Sequence, residues 1–265
     1  MEIQLENNLQ TLRSASPLVH NITNYVVMNY TANALLALGA SPVMAHALEE
    51  VEEMVTIAGA LVVNIGTLSS HWVEAMKLAM KTAAKLGKPI ILDPVGAGAT
   101  SYRNNVLAEL LETAPPTIIR GNGSEILALA GASIKTKGVD STVSSTDSIE
   151  AAYALSKKFG SVVSVSGAVD VIVKGNQAAY ISNGVPLMTR VTGMGCSASA
   201  IAGAYGAVVK DPFEAAISAA ATMGVCGELA FREAKSPGSF QIAFLDTLAE
   251  ITPAHLTELA KIKYA

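Results

Sequence analysis

The chain has 265 residues, 51% of them apolar and 15% charged, with a formal net charge of −4. Average globular proteins are about 25% charged, so a large core and apolar surface covered by copies of the same chain are both expected, and with them a homo-oligomer. The 18 Lys plus Arg form no basic run, which argues against nucleic acid as a partner.

Residues 1–20 mix charged and polar side chains without an apolar core, so no secretory signal is predicted. No stretch reads as a membrane span of about 20 apolar residues. Residues 18–21 read as a strand, and 24–38 as a helix stopped by Gly39. A short strand over 42–44 precedes a helix over 47–58 with Gly59 as its stop. The apolar run 61–65, which carries Asn64, is a strand, and 70–86 a helix with a serine N-cap and Gly87 at its end. Strand 89–92, helix 100–112, strand 117–119 and a helix over 122–130 ended by Gly131 follow. Residues 135–148 read as a polar surface connection, and a helix over 147–159 ends at Gly160. Strands are predicted over 161–165, 169–174, 177–182 and 187–191, then helices over 198–210, 212–235 and 239–249. Cys196 and Cys226 fall in apolar helical context, which indicates no disulfide framework and a cytoplasmic enzyme. No linker divides the chain, so residues 1–265 are expected to form a single domain. Alternation of apolar strands with helices predicts an α/β fold with a mostly parallel central sheet and helices on both faces. Ligands gather at the carboxyl ends of such strands.

Four segments at strand ends carry candidate chemistry. In Val191-Thr192-Gly193-Met194-Gly195-Cys196-Ser197, two glycines open a small-residue helix. The free N–H groups and dipole of a helix N-terminus suit a transferring phosphoryl group, although such a turn also serves plain helix packing. Asp93, at the end of the strand in Ile90-Ile91-Leu92-Asp93-Pro94-Val95-Gly96, can reach magnesium directly or through water, or satisfy loop amides. In Arg120-Gly121-Asn122-Gly123-Ser124-Glu125, Arg120 suits bidentate phosphate contact. Glu125 suits either magnesium or helix capping. His20, Asn21, Asn24 and Met44 set uncharged polar groups among apolar ones, which fits a small neutral substrate.

Together these segments resemble the hydroxyethylthiazole kinase family. The similarity runs in order through PLVHNITNYVVMNYTANALLALGASPVM, LVVNIGTL, ILDPVGAGAT, RGNGSEI and VTGMGCSASAIAGAYGA. The resemblance implies a ribokinase-like three-layer α/β/α fold. It implies ATP- and Mg2+-dependent phosphorylation of 4-methyl-5-(2-hydroxyethyl)thiazole in thiamine salvage, and a trimer with active sites between subunits. By the same resemblance, Met44, Gly193, Asn24 and Gly66 lie at the thiazole alcohol, and Arg120, Ser166 and Asn122 at ATP. Asp93 and Glu125 serve the magnesium region. Gly193 and Gly195 belong to the catalytic anion turn, and Cys196 stands where related kinases place a general-base aspartate. A helix N-terminus is expected to lower the thiol's pKa.

Two departures stand out. Ala168, in Val165-Ser166-Gly167-Ala168-Val169-Asp170, replaces a common carboxylate, and Met194 replaces a smaller residue in the glycine turn. A different small-alcohol kinase or an ATP-dependent dehydratase on the same fold, or a non-catalytic nucleotide binder, is the alternative.

Overall fold

The computed structural model of the protein describes residues 3–133 and 145–265. The first stretch runs through α1 (Leu5–Ala15), β1 (Leu18–Ile22), α2 (Met28–Leu38), β2 (Ser41–Val43), α3 (Val51–Ile57), β3 (Ala60–Asn64), α4 (Ser70–Lys85) and β4 (Ile90–Asp93). It continues through α5 (Ser101–Thr113), β5 (Ile118–Asn122) and α6 (Gly123–Ser133). The second holds α7 (Ser145–Phe159), β6 (Val162–Ser166), β7 (Asp170–Lys174), β8 (Gln177–Ile181), α8 (Met194–Val208), α9 (Pro212–Glu233), α10 (Pro237–Glu250), α11 (Pro253–Leu259) and β9 (Ile262–Tyr264).

The described strands form one sheet in the order β2-β1-β3-β4-β5-β6-β7-β8-β9. Pairings from β2 to β6 are parallel, and those from β6 to β9 antiparallel. Successive strand side chains point to opposite faces. Val62, Ile91 and Ile118 therefore join α1, α2 and α8 to α11 in one core, while Val63, Leu92 and Ile119 join α3 to α7 in the other. Because helices cover both faces, the strands are largely apolar, with polar residues gathered toward the carboxyl ends of β3 to β6. This is the expected three-layer architecture. No helix among the described residues is long and apolar enough to cross a membrane.

Several boundaries differ from expectation. Residues 187–191 are not a strand: Pro186–Arg190 forms a 3-10 turn, because both edges of β8 are already taken, by β7 and β9. The helix expected from 24 starts at Met28, leaving residues 24–27 as a turn that enters the site. α3 likewise begins only at Val51. Gly131 does not end α6, which runs on to Ser133. The cap of α4 is Ser69, whose side chain makes no capping bond. Residues from Ser145 of the supposed surface connection open α7, and the rest of that segment lies outside the described residues. α1, unanticipated, buries Leu5, Leu9 and Leu12, the i, i+4, i+7 stripe of an amphipathic helix.

Candidate active site

The carboxyl ends of β3 to β6 lie side by side, with Asn64 opposite Asp93 and Asn122 opposite Ser166. The amino end of α8 closes over this edge. Gly193, its N-cap, has φ 92°, the left-handed region that favours glycine. A Cβ there would also come within 3.1 Å of the Tyr30 ring. The first helical bond runs from Ser197 N to Gly193 O. The amides of Met194, Gly195 and Cys196 are thus left outside the helix's own ladder, as an anion site requires. Met194 is buried, with its sulfur 3.9 Å from the Tyr30 hydroxyl. Its side chain packs into the core and also borders the cavity beside the turn.

Behind this turn lies a polar chain inside the sheet. Asn24 Nδ2 donates to Asn64 Oδ1 at 2.8 Å and approaches Cys196 Sγ at 3.4 Å. Asn64 Nδ2 donates to Asp93 Oδ2 at 2.8 Å, and Ser199 Oγ donates to the same oxygen at 2.7 Å. Asp93 is only 2% exposed. Burial pushes its carboxyl up to about 6, against the opposing pull of Arg120 and the bonds from Ser199 and Asn64. Cys196 corrects the sequence expectation. Burial and then the Asp93 charge push its thiol up to about 11, outweighing the bonds from Asn64 and Asn24 and the Arg120 charge. At neutral pH it is a thiol, not a thiolate. Cys226 is fully buried in α9.

The other side of the turn borders a cavity of about 750 Å³. Arg120, Asn122, Ser166, Gly193 and Gly195 line its polar end, and Met188 and Met223 are among its apolar walls. Arg120 Nη1 donates to Gly195 O at 2.9 Å, which ties β5 to the turn. Ser166 Oγ reaches Gly121 O at 3.4 Å. Asp170 Oδ1 accepts from Gly167 N at 2.9 Å and feels the Arg120 charge, but burial dominates and raises its pKa. Ala168 is exposed at this rim and adds no charge to it.

Glu125 caps α6: its Oε2 accepts from Asn122 N at 2.9 Å, while Asn122 Oδ1 accepts from Glu125 N at 3.0 Å. Glu125 Oε1 also accepts from Gly96 N at 2.9 Å, so the capping role is real, and each oxygen retains a further lone pair. Met44 follows β2 and is half-buried. Gly66 is a close approach: a Cβ there would lie 2.6 Å from Asn24 Nδ2. His20 bonds Ala45 O at 2.7 Å inside the core, which is a structural role.

The structure thus brings Asn24, Gly66, Asp93 and Cys196 to one side of the α8 turn and Arg120, Asn122 and Ser166 to the other. Three further contributors are not among the site residues to which the sequence points. Asn64 and Ser199 hold Asp93. Arg103, in α5, donates to Ile65 O, Val95 O and Gly66 O and so ties the loops after β3 and β4 together.

A glycine turn and a buried carboxylate at the strand ends of a three-layer α/β/α sheet place the chain in the ribokinase-like fold class. A ribokinase-like superfamily protein from Enterococcus faecalis, 14% identical, shares the fold with a TM-score of 0.64 over 91% of this chain and 89% of that one. The chain belongs to the hydroxyethylthiazole kinase family, whose model matches residues 9–254. It is 61% identical over 244 residues to a hydroxyethylthiazole kinase of Leptospira biflexa, covering 92% of this chain and 91% of the relative. The structure of a hydroxyethylthiazole kinase protein from Pyrococcus horikoshii, 44% identical, superposes with a TM-score of 0.92 over 98% of both chains.

Proposed function

We propose that the protein, a single kinase domain over residues 1–265, transfers the γ-phosphoryl group of ATP to the primary hydroxyl of 4-methyl-5-(2-hydroxyethyl)thiazole in thiamine salvage. The observation that carries this reading is the α8 turn. It sets free amides between the Asn24–Cys196 contact and the cavity beside Arg120. Met44, Asn24, Gly66 and Gly193 hold the alcohol. Arg120, Asn122 and Ser166 hold the nucleotide. The amides around Gly193, Gly195 and Cys196 stabilise charge on the transferring group, which is the main demand of a loose transition state.

Asp93 and Glu125 would hold magnesium. Among the described residues no three His, Cys, Asp or Glu side chains cluster as a metal cage. Magnesium is commonly held by one or two carboxylates plus phosphate oxygens and water. When bound, magnesium neutralises charge on the β and γ phosphates. Cys196, neutral at physiological pH, orients the substrate hydroxyl instead of deprotonating it. The protein acts as a homotrimer with its sites between subunits.

Purified protein, ATP, magnesium and the thiazole alcohol are expected to yield the phosphate ester, followed by mass spectrometry. The ester should collapse in Asp93→Ala, and turnover should fall by roughly tenfold in Cys196→Ala. No ester from protein that still binds ATP would overturn the substrate assignment. Full turnover by Cys196→Ala would remove the cysteine from the mechanism.

A further inference from the structure

We infer that Asn64 is a positioning residue for phosphoryl transfer: its carboxamide holds Asn24 against Cys196 and directs Asp93, so that one side chain sets the geometry of both. The inference deepens the function proposed above and rests on the roles given there to Asp93 and Cys196.

Asn64 ends the otherwise apolar strand β3 and is 1% exposed. An amide buried there is costly unless its groups are bonded, and both ends are. Oδ1 accepts from Gly66 N at 3.0 Å. A backbone amide can only donate, so this bond settles which end of the carboxamide is the oxygen. Nδ2 must then face Asp93, and it lies 2.8 Å from Oδ2. Ser199 meets the same oxygen. Both donors converge on Oδ2, and neither engages Oδ1.

The orientation propagates the other way as well. Because Asn64 Oδ1 is an acceptor, Asn24 must turn its Nδ2 toward it, and that nitrogen is also the one 3.4 Å from Cys196 Sγ. The absence of a side chain at Gly66 leaves the room in which the Asn24 amide sits. With Asn24 donating to the sulfur, the thiol proton is left to point elsewhere, toward the substrate hydroxyl. A purely structural Asn64, one that only satisfies the Gly66 amide, predicts lower stability with no change in the chemistry of Cys196.

The test uses the full-length protein with Asn64→Leu, similar in volume and unable to hydrogen-bond, and Asn64→Ser as a smaller cut should the leucine variant not fold. One readout is steady-state kinetics, in which kcat is expected to fall about tenfold or more while KM for ATP stays within about twofold. The other is iodoacetamide alkylation of Cys196 at pH 9, which follows the thiolate fraction. Cys226, with no exposed surface, is the silent background. Losing the donor to sulfur should slow alkylation about threefold or more, the equivalent of half a pKa unit. Asn24→Ala should slow it as well, by no more than the Asn64 variants do, since Asn64 both holds Asn24 and acts on the sulfur itself. A folded Asn64 variant with unchanged turnover or unchanged alkylation overturns the inference. If wild-type protein makes no ester, the functional proposal fails. The alkylation comparison still decides whether Asn64 controls Cys196.

Discussion

Asp93 sits inside the sheet with its carboxyl raised to about 6, above its ordinary 3.8, chiefly because burial disfavours the charge. Between those two values the folded chain binds more protons at this site than the unfolded chain. Stability from this group therefore declines as pH rises through that window, and the penalty is complete above about 6. Asp93→Asn removes the charge and keeps an oxygen that can accept from Asn64 and Ser199. In metal-free buffer at pH 7.5 the variant is expected to be more stable, by about 3 kcal/mol at most, which is a rise of several degrees in melting temperature. The gain should shrink at pH 5, and turnover should be lost at both. Thermal melts at the two pH values check the sign. A variant that melts lower at pH 7.5 would mean that the charge stabilises the fold. The residue thus gives up stability for a carboxylate at the strand ends behind the α8 turn.

At the scale of the element, the amino end of α8 separates two glycines with different tasks. Gly193 needs its left-handed φ and its clearance from Tyr30. Gly193→Ala should cost about 1–2 kcal/mol and displace the anion turn, so kcat is expected to fall more than stability explains. Gly195 has ordinary helical geometry, and an added Cβ would meet only the tip of Arg120, at 3.2 Å. Gly195→Ala should therefore leave the melting temperature within a degree or two and raise KM for ATP by pushing Arg120 aside. Kinetics and melts of the pair separate the two effects. Much of this element was legible in the sequence, because a glycine turn before a small-residue helix follows from local chemistry. The continuous apolar strands and the polar residues at their ends were legible for the same reason. What was not legible depends on partners distant in the chain. Ser199 and Asp93 are 106 positions apart, and Asn64 and Asp93 29. The turn at Pro186–Arg190 looked like a strand because its apolar residues carry no sign that β9 has already taken the edge of β8. The direction of the Cys196 shift was misjudged because sequence shows a helix N-terminus but not the burial that outweighs it.

At the scale of the molecule, low charge and exposed apolar residues meet beside the site. Tyr25 and Val26 are 66% and 68% exposed although they follow Asn24, which is buried. Side chains of this size left in water next to a substrate pocket fit a surface that a second copy covers. The proposed trimer, with each site completed by a neighbour, accounts for both the exposure and its place. Light scattering should give three times the 27.3 kDa of the chain. Val26→Glu places a charge in the proposed interface, where an unpaired buried charge is strongly disfavoured. In an isolated subunit the same glutamate is solvated and harmless. The variant is therefore expected to run as a monomer with a native circular-dichroism spectrum, to bind ATP at the cavity beside Arg120, and to lose turnover of the thiazole alcohol. Raising the protein concentration should restore part of the activity, since assembly is driven by mass action. A monomer with full turnover would mean that one chain holds the complete site, and the exposed pair at Tyr25 and Val26 would then need another occupant.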